Sequence, residues 1–118
     1  MKYNNETKDD TMGILDLIEY YIDYINDGLK NDSYKKVCEG FEHVCSNISD
    51  NMVICIAIHA VNNVCYYTIM KTRYEGLYTF SSGNKYTMQT SESFAQWLYY
   101  HSSTHSIELK FSYRGDSK

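Results

Sequence analysis

The chain has 118 residues, 43% hydrophobic content and a formal net charge of −4, with no proline and 13 tyrosines. That length suits one domain with a core of its own, and without a run of about 18 apolar residues no membrane-spanning helix is expected. The acidic total argues against direct nucleic-acid binding, which needs a basic footprint.

The opening, MKYNNETKDD, is polar and has no apolar stretch of the kind a secretory signal carries. A cytoplasmic location is therefore expected, with Cys38, Cys45, Cys55 and Cys65 as reduced thiols. Residues 1–10 are expected as a flexible arm, 11–113 as the globular domain and 114–118 as a flexible tail.

The next stretch, MGILDLIEYYIDYIND, predicts a helix over about 12–29, capped by Asp10 or Thr11. Ile14, Leu17, Ile18, Tyr21 and Ile25 follow helical spacing, and Leu15, Ile22 and Leu29 widen the stripe, so the helix is expected to pack on two neighbours. A second helix, about 33–48, is capped by Asp32 or Ser33 and has a core face from Tyr34 to Ile48 at three- and four-residue steps. Gly40 within it costs about 1 kcal/mol against alanine, which a close helix crossing would justify.

NMVICIAIHAV is apolar on both faces, the pattern of a strand covered on two sides. Asn62-Asn63 is expected as a two-residue turn, with VCYYTIMKT returning as the paired strand and His59 opposite Tyr66. LYTFS and KYTMQT are two further strands. Thr90 or Ser91 caps a third helix whose inward residues are expected to be Phe94, Trp97, Leu98 and His101. SIELKFSY alternates Ile107, Leu109 and Phe111 with polar residues, a half-exposed strand. The order is α-α-β-β-β-β-α-β. It predicts an α+β fold with two N-terminal helices, an antiparallel sheet of about four to five strands, and one further helix before the last strand.

Catalytic and metal signatures are weak. Cys38 and Cys45 are seven apart on one helix, about 10 Å along its axis, too far for one tetrahedral ion. Cys55 and His59 share a strand face about 13 Å apart, too far for proton transfer. Cys65 lies nearer to His59 across the hairpin, but the expected register gives it Ala60 as its partner. No glycine-rich phosphate loop is present. No metal, cofactor or catalytic residue is assigned.

The charge distribution is the informative feature. Residues 1–32 hold eight acids and three bases, a local charge of −5, while the other 86 residues carry +1. Asp16, Glu19, Asp23 and Asp27 are spaced three, four and four, and so line one helix face. Like charges at such spacing destabilise a helix by a few tenths of a kcal/mol per pair. Rows of carboxylates can also steer a cationic partner, and Tyr20 and Tyr24 beside them offer contact area at little entropy cost. The expectation is a non-enzymatic binding protein that meets a basic protein through Asp16, Glu19, Tyr20, Asp23, Tyr24 and Asp27. Its most concrete form is an immunity protein blocking a nuclease-type toxin. A phage or viral inhibitor of a host defence protein, a secretion chaperone and a small Cys/His enzyme are the alternatives.

Overall fold

Helix α1 (Asp10–Lys30) and helix α2 (Tyr34–Ser46) form an antiparallel pair at the start of the chain. In this computed structural model the described residues are 10–102 and 106–116, with side-chain surroundings for 13–102 and 106–112. Residues 1–9 of the expected arm and residues 117 and 118 of the expected tail lie outside the described residues.

The helix pair is tight because two glycines sit where the helices meet. A Cβ on Gly40 would stand 2.3 Å from Ile25 Cγ1, and one on Gly28 would stand 2.9 Å from Lys36 Cβ. The close crossing expected at Gly40 is therefore real, and Gly28 is its counterpart on α1. Ser33 is the α2 cap, its Oγ accepting from the Lys36 N–H at 3.2 Å. Asp32 instead takes the left-handed turn position, with φ 58°.

The strands follow as β1 (Met52–His59), β2 (Val64–Lys71), β3 (Tyr78–Ser82) and β4 (Lys85–Gln89), then helix α3 (Ser91–Ser102) and β5 (Glu108–Asp116). They form one antiparallel sheet in the order β4-β3-β2-β1-β5. The first four strands are neighbours in sequence and join through short connections. Beta5 lies at the far edge from β4, so the chain must cross the whole sheet between them. That span is about 19 Å, four strand spacings, and a 12-residue helix such as α3 covers about 18 Å. Thr90 starts α3 by accepting the Ser93 N–H on its Oγ1.

All three helices lie on one face of the sheet. Ile18, Ile22 and Ile25 of α1, Val37, Phe41 and Val44 of α2, and Phe94, Ala95 and Leu98 of α3 share one buried cluster with Ile54, Ile56, Ile58, Ile69 and Phe80 of the sheet. Phe94 stacks on Phe80 at 4.3 Å between centroids and meets Phe41 and Tyr67 edge-on. At the other end of the helix layer, Asn26 of α1 bonds the main chain of Leu109 in β5.

Several expectations change in detail. The first hairpin closes through an Ala60 N–H bond to the Asn63 carbonyl at 2.9 Å, so Val61 and Asn62 are its central residues. His59 consequently faces Val64, not Tyr66. The two-residue slip keeps every side chain on its expected face. Trp97 and His101 are exposed, and Ala95 takes the buried place in α3. Among the described residues, helices cover β1 on one side only. Beta5 continues through residues 114–116, read as tail in the sequence, pairing Gly115 with Val53 and Asp116 with Met52.

Candidate interaction face

Alpha1 turns Ile18, Ile22 and Ile25 into the core, so the opposite side of the helix must face water. That side carries Asp16, Glu19, Tyr20, Asp23 and Asp27, all exposed. Tyr20 stands at the edge of the arc nearest α2 and is 59% exposed. Tyr24 lies on the flank nearest α2 and is half-buried.

The four carboxylates are not equivalent. Asp27 is held by Lys36 of α2 through a direct ion pair and by the Asn31 side chain at 3.0 Å. The Lys36 hydrogen bond and charge hold the Asp27 carboxyl below its ordinary value, and the same bond raises the lysine. The Lys36 ammonium also lies 4.7 Å from the centre of the Tyr24 ring. Tyr24 donates its hydroxyl to Glu39 Oε1 at 3.1 Å, and Glu39 takes Lys35 at 3.4 Å. Its carboxyl is held down by those two contacts, the Tyr24 bond first. A base on α2 therefore meets the C-terminal end of the acidic row, and Tyr24 is tied into the helix–helix seam. Among the described residues, neither Glu19 nor Asp23 has an ion-pair partner. Glu19, Tyr20 and Asp23 remain on the outward face, with Asp16 exposed beside them.

One contributor was missed by sequence reading. Leu17 is 42% exposed, although its spacing to Ile14, Ile18 and Tyr21 fits a core stripe. Its place on the helix circumference, between Tyr20 and the α2 side, leaves it beside the tyrosine and outside the core. Tyr20 meets Tyr21 edge-on at 5.0 Å, and Tyr21 stacks on His43 of α2 at 4.5 Å. The acids therefore run along one side of an apolar, aromatic strip.

No known protein family, curated protein or solved structure matches the chain. The chemistry must be argued from the side chains. His59 and Cys65 lie on opposite faces of the sheet, because Cys65 pairs with Ile58 on the helix side. Cys65 Sγ instead contacts Ser82 Oγ at 3.3 Å. Cys45 is buried, and burial pushes its thiol up to about 12, the opposite of what a nucleophile needs. Among the described residues no three His, Cys, Asp or Glu side chains gather as a metal ion would require, and no helix is long and apolar enough to cross a membrane. A cleft of about 560 Å³ between α2 and the start of α3 is lined by Tyr34, Lys35, Cys38, Glu39, Glu42 and Glu92, and its Glu39 is paired with Lys35.

Proposed function

We propose that this is a non-enzymatic binding protein that captures a basic protein on the outer face of α1. Its most concrete form is an immunity-type inhibitor that occupies the cationic site of a nuclease-type toxin. The observation that carries this reading is the row of Asp16, Glu19 and Asp23 along one side of exposed Tyr20 and Leu17. Interfaces draw most of their affinity from a few apolar or aromatic anchors shielded by a rim, while carboxylates at the rim set encounter rate and partner choice. The separation of His59 from Cys65 favours binding over Cys–His catalysis. A phage or viral inhibitor of a host defence protein would use the same face and the same physics.

The test separates anchor from steering. The protein is immobilised and exposed to extract of its source cells at low and high salt, and the captured basic protein is then purified and titrated. Asp16→Asn/Glu19→Gln/Asp23→Asn is expected to slow association and to flatten its salt dependence. Leu17→Ala/Tyr20→Ala is expected to speed dissociation. Equal binding by wild type and both variants would overturn the assignment of this face.

A further inference from the structure

Beta1 is apolar on both of its faces, yet the helices cover only one. Ile54, Ile56 and Ile58 belong to the core cluster. Val53, Cys55 and Ala57 point the other way, where among the described residues no helix packs. Cys55 is buried but stands outside that cluster, with Thr68 and Ser112 as its cross-strand partners. Around this centre rise Tyr66, 60% exposed, Tyr86, 64% exposed, and Met88.

This open face is almost without charge. In a chain of net −4, its charged residues among those whose side-chain surroundings are described are Glu108 and Lys110, two positions apart on β5, and they cancel. A basic partner finds no counter-charge here, whereas a second acidic copy finds no repulsion.

We propose that a second copy of the chain docks on this face, sheet against sheet, in a two-fold dimer. A two-fold interface sets one patch against itself, so the patch must be self-complementary. Neutral residues at the centre with one acid and one base at the rim meet that condition. Strand spacing of about 4.8 Å and a rise of about 3.3 Å per residue make the face roughly 20 Å in each direction. Two such faces bury on the order of 1,000 Å² with side-chain relief included, at the lower limit for a specific interface. The dimer is therefore weak and concentration-dependent. It rests on observations independent of the α1 face, which it leaves exposed on both outer sides.

Sedimentation velocity from micromolar to millimolar concentration tests this, with Tyr66→Lys/Tyr86→Lys as the disrupting variant and Gln96→Lys on exposed α3 as the control. Wild type and control are expected to pass from monomer to dimer, and the double variant is expected to remain monomeric. A wild type that stays monomeric, or a dimer that survives in a folded double variant, overturns the proposal. Should the double variant unfold, dilution of wild type followed by amide shifts decides. Changes centred on Tyr66, Thr68, Ser81 and Tyr86 are expected, and changes confined to α1 or to open-ended pairing along β4 overturn it.

Discussion

The side-chain amide of Asn26 pairs with the main chain of Leu109 in both directions: Nδ2 donates to the Leu109 carbonyl at 2.9 Å, and Oδ1 accepts the Leu109 N–H at 2.8 Å. One asparagine does for the rim of β5 what another strand would do. It satisfies two main-chain groups and blocks that rim against strand addition.

Removing that amide should be felt. Asn26→Ala leaves both Leu109 groups unmatched under α1 and is expected to destabilise by about 1–3 kcal/mol. Asn26→Asp keeps the acceptor, loses the donor and should fall between. Urea unfolding measures the cost, and faster hydrogen exchange at the Leu109 amide would localise it. An unchanged midpoint in Asn26→Ala would mean that water replaces the side chain without loss.

Two glycines should respond in opposite directions to the same substitution. Gly13→Ala in α1 meets nothing within 4 Å, so it should stabilise by about 0.4–1 kcal/mol through the unfolded chain and helix propensity. Gly40→Ala would push a methyl against Ile25 Cγ1. It is expected to cost about 1–3 kcal/mol as the helices are forced apart. Thermal melts of both variants check the pair.

The carboxylates of α1 should also split by sign. Neutralising Glu19 and Asp23 relieves their four-residue like-charge spacing on the helix, so the midpoint should hold or rise. Asp27→Asn removes the partner of Lys36 and should lower it slightly. A marked fall in the Glu19→Gln/Asp23→Asn variant would make those acids structural, against their proposed role in binding.

Stability should fall at both ends of the pH scale. Contacts from Lys36 hold Asp27 below its ordinary 3.8, and contacts from Tyr24 and Lys35 hold Glu39 below 4.5. A depressed carboxyl stabilises the fold above the unfolded value, and that contribution is lost as pH falls through the folded one. The acid limb should therefore begin near 4.5 and deepen below 3.8. It should be shallow because both groups are exposed and screened, and Asp27→Asn/Glu39→Gln should flatten it. At the alkaline end Cys45 keeps its proton up to about 12, where an unfolded thiol loses it near 9.0. That contribution is present below 9.0 and lost as pH rises toward 12. Tyr34, bonded to Cys38, is pushed up to about 12 and adds to the same limb. Cys45→Ala should lessen the alkaline slope in denaturation measured across the range.

The element order and the core were legible in the sequence because they rest on periodicity. Ile18, Ile22 and Ile25, or Ile54, Ile56 and Ile58, recur at the helix or strand repeat and can bury in only one way. The turn at Val61-Asn62 was not legible, since a slip of two residues preserves every face and leaves the hydrophobic pattern unchanged. Leu17 was misplaced because i, i+3 and i+4 spacing describes an arc, and a residue at the edge of the arc is decided by where the neighbouring helix lies. The pairing of Asp27 with Lys36 joins two helices across a tertiary contact, which no one-dimensional charge count reveals. The acidic row itself was visible, but its C-terminal limit was not.

The Asn26–Leu109 clasp has a kinetic consequence, because its partners are separated by 83 positions. Helix pairing and the three hairpin contacts from β1 to β4 can form from local segments, whereas β5 must close the longest loop in the molecule to reach β1 and Asn26. Long-range closure of this kind is slow. Folding should therefore pass through a state in which the helices and four strands are organised while one margin of β1 waits unpaired. During synthesis that margin stays open until β5 has left the ribosome, so the interval of greatest exposure to aggregation comes late.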